Sequence, residues 1–243
     1  MAYETVNPYT NELVKSYPYA SEAEIDAAIE KSHEAFLRWR TTGFGDRSKV
    51  LTRAAELLRA EKRTFADVLT LEMGKITAEA EVEVELCAEI LDYFADHGPG
   101  FLEDEPLPVK DAKEGTVTIV FEPLGVLYAI EPWNFPYYQV VRVGAPQILA
   151  GNTIVLKHAA NVPASALAMQ KLFDDAGLTA SAPAAPTPSW TTSPWPSSTM
   201  QPSKTPCWRP NAHDPYLPPP GRRRPRPRRR PRAPRPPERG GRP

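Results

Sequence analysis

Apolar residues recur at helical spacing through the first hundred positions of the chain and change to strand spacing beyond them. Ile25, Ala28, Ile29, Ser32, Phe36 and Trp39 fall on one face of a helix that opens with a capping box, Ser21-Glu-Ala-Glu24. Leu51, Ala54, Leu58, Phe65, Val68 and Leu69 mark the inner face of a second helix, with Asp46 as its cap and Gly74 at its stop. A third helix over residues 77–97 is expected to bury Val82, Leu86, Ile90 and either Tyr93 or Phe94. On that phase Glu79, Glu81, Glu83, Glu85 and Glu89 form a solvated acidic face. The β-rich runs 115–122 and 124–131 meet at Pro123 as a hairpin or strand pair. Residues 135–149 read as a helix interrupted early by Pro146, 152–156 as a short apolar strand, and 163–175 as a helix stopping at Gly177. Helices followed by a β-α-β-α order predict an α/β domain with a parallel sheet.

Composition divides the chain near residue 180. Its 243 residues carry a net charge of −1, but residues 1–180 hold 28 Asp/Glu against 16 Lys/Arg, and 181–243 hold 2 against 13. The second part also holds 19 of the 29 prolines, a single Leu, and no Ile, Val or Phe. So little apolar surface cannot offset a backbone entropy cost of about 1–2 kcal/mol per residue. The expected organisation is therefore a folded domain over 1–180 and a disordered Pro/Arg-rich tail over 181–243, with polyproline II tendency in 218–237. Pro, Arg, Ala and Gly are the residues of GC-rich codons, so the tail reads as the product of a frameshift near codon 180. Its eleven arginines from 222 to 242 would attract polyanions, nucleic acid included, only nonspecifically. Trp190, Trp195 and Trp208 stand too far from that run to give bases a stacking platform.

The opening residues show no basic stretch followed by an apolar one, and no run of about 18 apolar residues occurs, so neither a signal peptide nor a membrane span is expected. The two cysteines, Cys87 and Cys207, lie on opposite sides of the composition break. A disulfide is not expected, and a reducing cytoplasm is the simplest compartment.

Candidate chemistry centres on residues 129–138, Ala-Ile-Glu-Pro-Trp-Asn-Phe-Pro-Tyr-Tyr. Pro132 and Pro136 fix φ on either side of Asn134 and remove two backbone donors. The Asn134 amide either satisfies the turn backbone or is presented to a reacting atom. Lys157 follows an apolar strand, where α/β proteins bind cofactors, or simply reaches from the strand end to solvent. Arg142 lies two helical turns after Asn134. Its guanidinium could hold a carboxylate bidentately or sit on the surface. Tyr138 either walls a substrate tunnel or packs. Cys87, on a helix in an acidic segment, reads as a buried inert thiol.

Pro132-Trp-Asn-Phe-Pro136, Ala150-Gly-Asn152 and Leu156-Lys-His158 stand at a mutual spacing that resembles the NAD(P)-dependent aldehyde dehydrogenase superfamily. Glu72-Met-Gly-Lys75 and Asn7-Pro8 match as well, so the resemblance runs over residues 3–180. The Leu-Lys-His variant and Arg142 are most similar to succinate-semialdehyde dehydrogenases. The resemblance implies N-terminal helices, a partial Rossmann-like parallel sheet, and oligomerisation-arm strands near 115–131 in a homo-oligomer. It implies oxidation of an aldehyde, succinate semialdehyde, to the acid, with no metal. Asn134 would form the oxyanion hole, and the backbone of Ile130, Glu131, Pro132 and Trp133 would line the nicotinamide side. Lys157 would contact the adenosine ribose. Ala160 stands where NAD-preferring relatives often carry Glu, which favours NADP over NAD. Arg142 would pair with the distal carboxylate of the substrate, beside Tyr138. The family's nucleophilic Cys, in a Gly-Gln-x-Cys motif, and its general-base Glu have no counterpart in this chain, which is therefore expected to be inactive as written.

Overall fold

The computed structural model describes residues 3–110, 113 and 115–178. The disordered tail expected from 181 onward, with Cys207, lies outside the described residues. The capping box forms as read: Ser21 Oγ accepts from the Glu24 N–H, and the Glu24 carboxylate accepts from the Ser21 N–H. It starts α1 (Glu22–Trp39), which buries Ala28, Ser32, Phe36 and Trp39 and leaves Ile29 exposed. The long second helix is in fact two, α2 (Phe44–Ala60) and α3 (Lys62–Met73), broken at Glu61 where φ is −110° and ψ 23°. Gly43, not Asp46, occupies the N-cap. Asp46 sits in the first turn, where it favours the positive helix end and pairs with Lys49. Gly74 closes α3 at φ 71°, the left-handed conformation expected of it.

The largest departure from the expected helices is in α4 (Thr77–Phe101), which runs beyond His97. Its buried stripe is Ala80, Val84, Cys87, Ala88, Leu91 and Ala95, one residue out of phase with the expected one. Val82 is 67% exposed, whereas Glu83 is 1% exposed. Small side chains in that stripe let α2 and α5 pack closely on α4. Close packing outweighs the larger hydrophobic residues one position away.

Among the described residues the strands form three two-stranded sheets. β1 (Tyr3–Val6) and β2 (Leu13–Tyr17) form an antiparallel pair, and so do β3 (Glu105–Leu107) and β4 (Val117–Ile119). The runs 115–122 and 124–131 therefore do not pair with each other. β4 takes its partner from 105–107, and β5 (Val126–Glu131) pairs in parallel with β6 (Thr153–His158) through the crossover helix α5 (Pro136–Ala150). β6 begins one residue later and ends two later than expected. The final helix, α6 (Pro163–Asp175), has the expected bounds. The mixed architecture with a parallel, Rossmann-like strand pair is the predicted α/β class.

α5 continues through Pro146 because its far end is held by two tertiary devices. Trp39 Nε1 donates to the Ile148 carbonyl at 2.8 Å, and the buried Arg47 donates to the Leu149 carbonyl at 2.9 Å. Arg47 also donates to the carbonyls of Trp39 and Arg40, so one guanidinium closes the carboxyl ends of α1 and α5 together. Gly151, at φ 94°, is required there, since a Cβ would lie 2.8 Å from the Arg47 guanidinium.

One carboxylate in α6 is poorly accommodated. Asp174 Oδ1 is buried without a partner, and burial, with Asp175 adding to it and Lys171 opposing, pushes its pKa up to about 6. A carboxyl with a folded pKa above its unfolded value binds more protons when folded. Stability therefore falls as pH rises from about 4 to about 6. Asp174→Asn is expected to raise the thermal midpoint at pH 7.5 and to leave it nearly unchanged at pH 4. Equal midpoint shifts at the two pH values would contradict that origin.

Candidate functional site

The parallel register brings the carboxyl ends of β5 and β6 side by side, with Ile130 opposite Lys157 and Glu131 opposite His158. Such an end of a parallel pair is where α/β sheets bind ligands. Alternation then separates two faces. Ile130 and Lys157 share the face toward α1, whose Ser32 carbonyl accepts a hydrogen bond from Thr153 Oγ1 at 3.0 Å. Lys157 is half-buried, and among the described residues its ammonium has no carboxylate partner. Ala160 lies in the turn directly after β6, so no side-chain charge stands opposite that ammonium from this turn.

Beyond β5 the chain passes through Pro132, Trp133, Asn134 and Phe135, all exposed, and enters α5 at Pro136. Among the described residues no hydrogen bond engages the exposed Asn134 amide. Glu131 turns to the opposite, buried face. Its pKa is raised by burial and pulled down by Arg142, whose charge is therefore felt there. Arg142 is exposed on α5 with its guanidinium carbon 5.8 Å from the centre of the Tyr138 ring. Tyr138 thus carries the cation and also makes an edge contact with Phe135 at 6.0 Å.

The residues that hold this loop were not singled out from the sequence as doing so. α5 starts with Pro136 and has Phe135 at its N-cap, so it has no cap of its own. Glu83 of α4 supplies one: its Oε1 accepts from the backbone N–H groups of Tyr137 at 2.9 Å and Tyr138 at 3.1 Å. Its other oxygen pairs with the buried ammonium of Lys75, which lies 3.8 Å from the centre of the Phe135 ring. α6 repeats the device with Val162 at its N-cap and Pro163 at its start. There the Glu72 carboxylate accepts from Ala164 N–H and from the N–H and hydroxyl of Ser165, each at 2.7 Å, and from Thr5 Oγ1 at 2.6 Å. Phe135 and Val162, rather than Ser, Thr, Asp or Asn, at the N-cap position immediately before each proline was the available signal for remote caps.

His158 fastens the same loop from β6. Its Nε2 donates to the Pro136 carbonyl at 2.9 Å and its Nδ1 accepts from the Ala159 N–H at 2.8 Å, which defines the neutral Nε2–H tautomer. Burial lowers its pKa, and the Lys157 charge adds to that. Asn152 is structural: its Oδ1 accepts from Gly125 N–H and its Nδ2 donates to Gln147, which ties the start of β5 to the turn before β6. Cys87 is fully buried, and burial, reinforced by Glu83, raises its pKa well above that of a free thiol. The expected burial of this thiol is what the structure shows. Among the described residues no cluster of His, Cys, Asp or Glu is placed to hold a metal, and no helix is long and apolar enough to cross a membrane.

Residues 1–183 match the profile of the aldehyde dehydrogenase family. The chain belongs to the aldehyde dehydrogenase family. It is 47% identical over 176 residues to the NADP-dependent succinate-semialdehyde dehydrogenase of Deinococcus radiodurans, a match covering 72% of this chain and 36% of that protein. It is 42% identical over 179 residues to the Mycobacterium avium protein of the same name, covering 73% and 38%. Among solved aldehyde dehydrogenases, the succinic semialdehyde dehydrogenase of Streptococcus pyogenes with NADP+ superposes with a TM-score of 0.70 at 37% identity, over 77% of this chain and 39% of the other. The succinate-semialdehyde dehydrogenase of Burkholderia pseudomallei gives 0.69 at 35% identity, over 78% and 37%. The chain thus spans under two fifths of the length of these family members.

Proposed function

We propose that residues 1–178 are the part of an NADP-using succinate-semialdehyde dehydrogenase that presents the oxyanion amide and one side of the cofactor crevice. The observation that carries this reading is the juxtaposition at the strand ends: an uncompensated Lys157 beside Ile130, and an unengaged Asn134 one short loop away. Lys157 fits a dinucleotide with a 2′-phosphate, since Ala160 leaves no carboxylate to repel that phosphate and the ammonium attracts it. A bound nicotinamide dinucleotide would accept the hydride of the aldehyde oxidation. The backbone of Ile130, Glu131, Pro132 and Trp133 would wall the nicotinamide side.

The rest of the chemistry assigned here belongs to side chains. Attack of a thiolate on an aldehyde places negative charge on the carbonyl oxygen, and an amide N–H fixed at that position favours the charged state. Asn134 supplies it. Arg142, over the Tyr138 ring, receives the distal carboxylate of the substrate and so selects a charged aldehyde. Cys87 is not assigned as the thiolate, because it is fully buried and burial raises its pKa well above that of a free thiol. The 243-residue chain alone is therefore expected to be inactive, and the nucleophile and general base must come from a downstream segment of the family kind. A homo-oligomer in a reducing cytoplasm completes the proposal.

The test is a fusion of residues 1–178 to the downstream part of the Deinococcus radiodurans relative. With succinate semialdehyde it is expected to reduce NADP+ in preference to NAD+. Ala160→Glu is expected to move the ratio of kcat/KM values toward NAD+ by roughly tenfold or more, through repulsion of the 2′-phosphate. A fusion that prefers NAD+ and ignores that substitution would remove the cofactor assignment.

A further inference from the structure

Four contacts converge on the short backbone stretch that begins α5. Glu83 accepts two of its N–H groups, His158 donates to the Pro136 carbonyl, and the Tyr137 hydroxyl donates to the Phe65 carbonyl at 3.1 Å. The fourth is the Lys75 ammonium against the Phe135 ring, which reaches the residue adjoining Asn134 from outside α5, beside the Tyr138 edge contact and the Gln139 N–H to Phe135 carbonyl bond made within it. Lys75 and Glu83 are both buried, and both side chains are almost without solvent contact. A buried ion pair contributes little net stability compared with an apolar pair of the same volume, so stability alone gives this pair no advantage and its contacts with the loop set its interest.

We infer that the Lys75–Glu83 pair is the positioning device for Asn134. Glu83 fixes the first turn of α5 through Tyr137 and Tyr138, and Lys75 couples that carboxylate to the Phe135 ring. The two residues on either side of the Pro136 peptide are thereby locked to α4 and to the α3–α4 connection. Asn134 needs no hydrogen bond of its own to be held. Its amide is left free to donate while its backbone is fixed by its neighbour. The functional meaning of this device rests on the oxyanion role proposed above, but the device itself does not.

Hydrogen exchange followed by mass spectrometry on the purified 243-residue chain tests it without cofactor or aldehyde. Lys75→Met, which also leaves the Glu83 carboxylate without its cation, is expected to speed exchange at Tyr137 and Tyr138 within 133–138 about tenfold more than in α2 residues 50–58. Lys75→Arg, which keeps the charge and its contact with the ring, is expected to restore slow exchange. A purely structural lysine would instead raise exchange throughout the domain, and Arg would not restore it selectively. Phe135→Leu leaves the buried pair intact and removes only the ring. It is expected to speed the same residues even if Lys75→Met fails to fold. Wild-type exchange at 133–138 in folded Phe135→Leu would overturn the inference. An inactive fusion enzyme with this local exchange pattern would count against the oxyanion reading alone.

Discussion

Glu83→Ala is expected to destabilise the domain by about 3–5 kcal/mol, because it leaves a buried ammonium uncompensated. It also strips two backbone N–H groups at the start of α5 of their acceptor. That loss is a large share of the roughly 5–15 kcal/mol by which a typical domain is stable. The control is Glu81→Ala on the same helix, whose carboxylate makes only a 3.8 Å ion pair with an exposed Arg63. It is expected to change stability by less than about 1 kcal/mol. Urea unfolding followed by circular dichroism separates the two. Similar midpoints for both variants would show that Glu83 is not the cap its geometry describes. The double substitution Lys75→Met, Glu83→Leu is expected to recover part of the loss, since it removes the unpaired charge together with its partner.

Asn134→Ala has the opposite profile. In the fusion enzyme it is expected to lower kcat by 10²- to 10³-fold, about 3–4 kcal/mol of transition-state stabilisation, as when one oxyanion donor is removed. Thermal stability is expected to be unchanged, because Asn134 is exposed and its amide takes part in no hydrogen bond among the described residues. Steady-state rates against NADP+ and aldehyde, with a melting curve on the same sample, give both numbers. A falling midpoint with an unaltered kcat would return Asn134 to the turn. Together the two variants divide the site into a residue that acts and a residue that holds.

The difference between those two residues is also the difference in what could be read from the chain. Asn134 stands out in the sequence because its neighbours are unusual, two aromatics and two prolines around one amide. The parallel strands, α1 and α6 were legible from periodicity and punctuation, Ser21 and Gly177 above all. Glu83 was misread because a run of alternating Glu residues looks solvated, and the decisive contacts come from α5, some fifty residues away. The phase of α4 follows the stripe of Ala80, Val84, Cys87 and Ala88, and nothing local reveals that a crossing helix demands small residues there. Arg47 was invisible for a similar reason. A lone Arg near a helix start reads as surface charge until the carboxyl ends of α1 and α5 are brought to it. The partner of β4 was missed because 105–107 is a short, Pro-containing segment, a composition confined to sheet edges.

The decisive measurement is the initial rate of NADPH formation by the fusion of residues 1–178 to the downstream part of the Deinococcus radiodurans relative, with succinate semialdehyde as substrate and the 243-residue chain in a parallel cuvette. Aldehyde-dependent NADPH from the fusion and none from the chain alone is the expected result. A folded fusion that forms no NADPH, or a 243-residue chain that forms it unaided, would contradict the proposed division of the active site.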